Sequence, residues 1–306
     1  MNPLVVLALS LLGISMAAPL VRLSHADPLA IAVWRLGISM AVIGAIVGAS
    51  GSWRQWRRLR RGDLALALGA GVMLALHFWA WNASIGLTTV SASVVLVNVQ
   101  PVIVAAASAL WLHEPPTRGQ WGGIAVAVAG ATVVGLADAG ASAAAAGAPP
   151  HALLGDALAL SGAVTASVYY LAGRRLRRTL DLWPYVALVY GACFVVLLAF
   201  AGAARTPLAP QPPREIGIFA ALALGPMLLG HTGMNWALRY LPAYVVNLTV
   251  LGEPVGATVL AAALPGIHEI PPPMTLAGGA LLLAGILITL SRAPRAEAVP
   301  AVPDAA

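Results

Sequence analysis

Glu253 stands about ten residues into an apolar run that begins near residue 243, and Pro254 follows it directly. An acid at the centre of a bilayer costs about 3 kcal/mol or more, so such a residue is kept for a proton, a cation or a partner. The proline withholds an N–H and leaves a carbonyl one turn back without its donor. Protonation or capture of a substrate amine suits this pair; a structural ion pair is the alternative. Gln100-Pro101 repeats the arrangement with a neutral side chain. His77 and His231 stand in two other apolar runs. Imidazoles can carry protons near neutral pH, but a neutral ring bonded to a neighbouring helix is the preferred reading. Asn235 lies four residues after His231 and Trp81 four after His77, each on its histidine's helix face. Arg35 is the one cation inside an apolar run. It can hold a substrate carboxylate, pair with Glu253 or snorkel outward. Tyr169, Trp236 and Asn82 complete the substrate-binding or coupling candidates, with Asn98, Thr165, Tyr190, Tyr244 and Asn247 behind them. Aromatic rings beside a few polar groups suit a small organic ligand. No third ligand stands at a usable spacing, so no metal site is expected.

The elements that must carry these residues follow from composition. The chain has 306 residues, 60% of them hydrophobic and 9% charged, with a mean hydropathy of +0.87. A soluble globular chain carries about 25% charged residues. Disorder is excluded by the hydrophobicity, and the lone Cys193 excludes a disulfide scaffold. Ten runs are long and apolar enough to span a bilayer: roughly 3–21, 29–49, 63–83, 90–112, 120–138, 153–173, 182–203, 215–238, 243–264 and 274–291. The first lacks the basic start of a signal peptide and is read as a helix. All 17 basic side chains are arginines. Ten spans put both termini on one side, and that side collects thirteen arginines against three on the other. The positive-inside rule then makes both termini cytoplasmic. The arginines sit in short loops between spans, so no nucleic-acid partner is expected.

The chain also repeats itself. His77 matches His231 at an offset of 154, Asn82 matches Asn235 at 153, and Gln100-Pro101 matches Glu253-Pro254 at 153. His113-Glu114 matches His268-Glu269, and Gly123 and Gly130 match Gly278 and Gly285, all at 155. Each copy holds five spans, an odd number, so the second copy enters from the opposite side. The expected fold is an all-α integral membrane protein of ten transmembrane helices arranged as two inverted five-helix repeats. The repeats cover 1–138 and 153–291, with a periplasmic linker over 139–152 and a cytoplasmic tail over 292–306. Inverted repeats are the architecture of many secondary transporters, with the site near the midplane. A stripe of small residues, Gly123, Ala127, Ala131 and Gly135, marks close helix packing; an intramolecular contact is preferred to a dimer face.

Three stretches resemble a known family. They are Ser91–Pro101, His113-Glu114-Pro115 with Trp121-Gly122-Gly123 through Gly130, and Gly230-His231-Thr232 through Asn235–Pro242 and Gly252-Glu253-Pro254. Together they resemble the EamA-type permeases of the drug/metabolite transporter superfamily, over about residues 3 to 291. The resemblance implies two repeats, ten helices and a role in export of amino acids or uptake of vitamins or sugars. Arg35 also suits the family pattern, but Tyr190 or Gly191 occupies the equivalent place in the second copy.

The expected function is a secondary transporter that exports a small organic metabolite, such as an amino acid, by alternating access. An uptake permease for a vitamin, a nucleoside-like or a sugar-like solute is the alternative. An intramembrane enzyme or a lipid scramblase stands further off. The chain shows no Gly-rich phosphate loop and no Gly-x-Ser-x-Gly, so it is read as a carrier and not an enzyme. No cofactor is expected. Its partners are the substrate, the lipid bilayer and, for energy, the proton, in a monomer or weak homodimer of the bacterial inner membrane.

Overall fold

A computed structural model of the chain describes residues 2–88, 93, 96–143, 151–263 and 273–292. Glu269, linker residues 144–150 and the tail from 293 onward lie outside the described residues. The described elements are helical throughout. They are α1 (Pro3–Ser15), α2 (Ala17–Leu23), α3 (Pro28–Ser50), α4 (Arg61–Leu87), α5 (Gln100–Ala107), α6 (Arg118–Ala143) and α7 (Ala152–Leu176). Then follow α8 (Leu182–Ala204), α9 (Pro213–Leu222), α10 (Thr232–Ala237), α11 (Ala243–Val250), α12 (Glu253–Ala263) and α13 (Pro273–Ser291). Seven stretches of the described residues are long and apolar enough to cross a membrane, and Gln100–Leu112 forms a shorter apolar helix.

Local chemistry sets the helix ends. The Asn2 side chain accepts from the Leu4 N–H at 2.9 Å, and Asp27 accepts from the Leu29 N–H at 2.8 Å. Both caps precede a proline at the first helical position, where the missing N–H costs nothing. Gly51, at φ +65°, closes α3 in the left-handed conformation. Pro226 removes a donor inside the eighth apolar run. The helix widens there into a π segment, Ala223–His231, that joins α9 to α10. The fourth and ninth runs do not continue as single helices. Asn98-Val99 forms a turn before α5, and Leu251-Gly252 forms a turn before α12.

The chain divides into two compact units. The first takes residues 1–75 and 169–241. Within it α3 packs along α8, and α1 packs on the π segment and α10. The backbones approach closely at Gly13 and Gly230, where a methyl group on Gly13 would stand 2.8 Å from the Gly230 nitrogen. The turn after α2 is clasped to the start of α9: Glu215 accepts from the Ser24 hydroxyl at 2.5 Å and from the His25 N–H at 3.2 Å. Trp34 of α3 stacks on Phe219, their ring centres 6.1 Å apart, over a small core of Ile31, Ile218 and Leu222.

The second unit takes residues 76–168 and 242–295. Its main contact is α6 against α13, and α5 packs on α11. Gly123 faces Gly285, and Gly130 faces Gly278: added methyl groups would stand 2.9 Å from the Gly285 carbonyl and 2.7 Å from that of Gly278. Numbers rise along one helix as they fall along the other, so α6 and α13 run antiparallel. Gln120 extends the same register, its amide donating to the Arg292 carbonyl at 3.0 Å. The small-residue stripe is thus used inside the chain. In the same unit, the end of α4 bonds the start of α7 through Thr88 and Asp156, 2.8 Å apart.

Candidate functional site

The two units divide the sequence-derived candidates. Arg35, Tyr169, His231, Asn235 and Trp236 belong to the first, and His77, Trp81, Asn82, Gln100 and Glu253 to the second.

In the first unit, α10 follows the π segment and carries Asn235, which is completely buried. Its amide nitrogen donates to the Tyr169 hydroxyl at 2.6 Å, the Tyr190 hydroxyl at 2.9 Å and the His231 carbonyl at 2.9 Å. Tyr190 lies 3.3 Å from the Thr232 hydroxyl, which itself donates to the Met227 carbonyl. The spacing of four residues places Asn235 on the helix face of His231. The structure adds α7 and α8 to that face and makes Asn235 the centre of a buried polar network. Asn235 thus bonds three other candidates, Tyr169 and Tyr190 through their hydroxyls and His231 through its backbone carbonyl. Trp236 turns to Tyr240 instead, ring centres 4.4 Å apart. Arg35 is half-buried on α3.

The same unit holds a feature that sequence reading missed. Arg174 and Arg177, at the end of α7, are buried, while Arg175 and Arg178 are exposed. Arg174 donates to the carbonyls of Leu238 at 2.7 Å and Arg239 at 3.0 Å. Arg177, 1% exposed, donates to the Asn235 carbonyl at 3.0 Å and to that of Leu180. Both guanidinium groups therefore serve carbonyls at the end of α10, where cations are favoured by the helix dipole. Burial, with Arg239 beside it, lowers the Arg177 pKa to about 10, so its charge persists at neutral pH. Arg239 pairs with Asp181 at 2.8 Å, and Gln55 bonds the same carboxylate at 2.7 Å. The signal available in the sequence was the i, i+3 spacing of Arg174 and Arg177, which places both on one helix face.

In the second unit, Nδ1 of His77 lies 2.9 Å from the Gly162 carbonyl. A carbonyl only accepts, so the ring donates and the bond ties α4 to α7. Gln100 opens α5 and is largely buried; Glu253 opens α12 and is half-buried. Each follows its two-residue turn, and each is followed by a proline. A carboxylate at the first turn of a helix is favoured by the N-terminal dipole. The broken helix thus lowers the cost of placing Glu253 within an apolar segment. Pro101 and Pro254 leave the carbonyls of Val97 and Val250 without helical donors. Among the described residues, the indole nitrogen of Trp81 and the Asn98 amide nitrogen are buried without a hydrogen-bond partner. No group of three or more His, Cys, Asp or Glu among the described residues is placed to hold a metal ion.

Comparison with known proteins adds to this geometry. The model of the EamA-like transporter family matches residues 2–136 and again 153–291. A protein of Streptantibioticus cattleyicolor named a probable terminal-alkyne amino-acid exporter is 28% identical over 193 residues, 63% of this chain. The match spans 61% of that protein's length. A solved crystal structure superposes with a TM-score of 0.77 at 20% identity, covering 93% of this chain and 94% of the other. Two successive matches to one family model, on a helical chain with seven apolar membrane-spanning stretches, account for the repeat read in the sequence. The chain is a multi-pass membrane protein and belongs to the EamA-like transporter family.

Proposed function

We propose that this protein is a secondary carrier that exports an amino acid or a closely related small metabolite by alternating access, and that it is not an enzyme. The observation that carries the reading is the turn at Leu251-Gly252 that breaks the ninth apolar run directly before Glu253-Pro254. Discontinuous helices bring free backbone groups and an affordable charge to mid-membrane, which is where carriers hold their cargo. The turn at Asn98-Val99 stands at the equivalent place of the first repeat, 153 residues earlier, before neutral Gln100-Pro101. One junction carries a charge and the other does not, as a site for an asymmetric solute requires.

Two halves of opposite topology suit alternating access. In support, α6 and α13 end equivalent repeats and pack antiparallel. The contact of Gly123 with Gly285 becomes that of Gly278 with Gly130 when the repeats are exchanged. A two-fold contact between equivalent, antiparallel helices is what inverted repeats produce. The arginine asymmetry supports a bacterial inner membrane with both termini cytoplasmic. The family relative's name supports the amino-acid class and the outward direction.

The test is tracer counterflow in proteoliposomes preloaded with unlabelled L-amino acids, a terminal-alkyne amino acid among them. Labelled amino acid should accumulate transiently only in vesicles that contain protein and a trapped partner. Exchange of vitamins, nucleosides or sugars in place of amino acids would instead establish the uptake reading. No exchange of any solute would end the carrier reading.

A further inference from the structure

α11 is buried on every side, and it carries three polar side chains with side-chain hydrogen-bonding groups: Tyr244, Asn247 and Thr249. Two of them are satisfied. The Tyr244 hydroxyl donates to Gln120 at 3.1 Å, and the Thr249 hydroxyl donates to the Val245 carbonyl at 3.1 Å. Asn247 differs. It is 1% exposed, and among the described residues neither its amide nitrogen nor its amide oxygen has a hydrogen-bond partner. Among the described residues it is the one carboxamide whose nitrogen and oxygen are both fully buried and both without a partner. Asn235 of the first unit differs in its nitrogen, which faces three acceptors, while its amide oxygen alone is buried without a partner.

A buried carboxamide with no partner loses its hydration and gains nothing in return. A fold that needed only volume at this position would be better served by leucine. An unpaired donor and an unpaired acceptor on one planar edge therefore await a group that supplies both an acceptor and a donor. We infer that Asn247 is a substrate-binding residue that reads the zwitterionic head of an α-amino acid, its Nδ2 donating to the carboxylate and its Oδ1 accepting from the ammonium. An α-amino acid carries both groups on one carbon, so a single carboxamide can address them together. The inference rests on the amino-acid reading above and deepens it. Asn247 sits four residues before the Leu251-Gly252 turn, on the helix that leads to Glu253. The full burial of Asn247 suits a carrier state closed around its site, reached by solute when the carrier opens.

The experiment pairs stability with binding in the full-length purified protein. Asn247→Leu removes both open ends and keeps the volume; Asn247→Asp keeps acceptors and loses the donor. Without solute, Asn247→Leu should melt at the parent temperature or above it. Its counterflow of L-amino acids should fall at least tenfold. Asn247→Asp should lose counterflow of L-amino acids while the corresponding primary amines, which lack the carboxylate, compete better than against the parent. A clear drop in the melting temperature of Asn247→Leu without solute would show a structural asparagine and overturn the inference. Parent-like exchange in Asn247→Leu would overturn it too and leave the amino-acid reading standing. If the parent exchanges no amino acid, that reading fails first, and the zwitterion assignment falls with it.

Discussion

Two buried asparagines and one acid separate structural from functional polarity at the scale of single residues. Asn235 bonds two tyrosine hydroxyls of other helices. Asn235→Ala would take a partner from both hydroxyls; Tyr190 keeps Thr232 at 3.3 Å, and a group left unsatisfied costs about 1–3 kcal/mol. The expected outcome is a melting temperature lower by several degrees in detergent, rescued best by Gln or Asp. Unchanged melting in Asn235→Ala would mean that the network contributes nothing to the fold. Glu253 calls for a different measurement. If it couples transport to protons, Glu253→Gln keeps the helix-opening position and removes only the titration. Counterflow exchange should then persist while accumulation driven by a pH gradient disappears. The same gradient should still drive Gln100→Ala, because the first repeat carries no titratable group at that junction. Accumulation at the parental level in Glu253→Gln would exclude this carboxylate from coupling.

Helix packing raises a question of competing magnitudes at neighbouring positions of one element. Gly122 and Gly123 are adjacent on α6, yet they meet different surroundings. A methyl group on Gly122 would find nothing within 4 Å, whereas one on Gly123 would meet Thr289 and the Gly285 carbonyl. Replacing a helical glycine by alanine gains about 1 kcal/mol in backbone freedom and propensity. That gain is all Gly122→Ala encounters, so this variant should be the more stable. Gly123→Ala makes the same gain and must also push α13 away along a contact where the backbones touch. Overpacking costs about 1–3 kcal/mol, which outweighs the gain, and Gly123→Ala should be the less stable. Thermal melting of the two variants side by side tests the pair; equal shifts would mean that α6 and α13 are not in close contact. The clasp of Glu215 on Ser24 and His25 follows the same reasoning as a tie between elements. It joins residues 191 positions apart, and no spacing rule reaches that far.

At the scale of the whole molecule, the legible part of the fold was its period and its repetition. Apolar runs of bilayer length and five landmarks in order are one-dimensional patterns, and they announce helices and duplication. The breaks inside the fourth and ninth runs were harder to see, because apolar residues fill both sides of each turn. Pro101, Pro254 and Gly252 were the only local signs. The burial of Arg174 and Arg177 was hidden for another reason: charge counting assigns arginines to loops, and their carbonyl partners on α10 exist only after folding. The orientation of the two repeats can be decided with one measurement. Cys193 is the single cysteine and is fully buried, so a surface thiol reagent meets little background. Ser52 lies between α3 and α4, and Ala209 lies between α8 and α9, in corresponding loops of the two repeats. Inverted repeats place corresponding loops on opposite faces of the membrane, and parallel repeats place them on the same face. Ser52→Cys lies in the arginine-rich loop and should label only after permeabilisation. Ala209→Cys should label in intact cells with a membrane-impermeant maleimide. Labelling of both from outside, or of neither, would refute the inversion. Labelling of Ser52→Cys alone would keep the inversion and reverse the orientation inferred from the arginines.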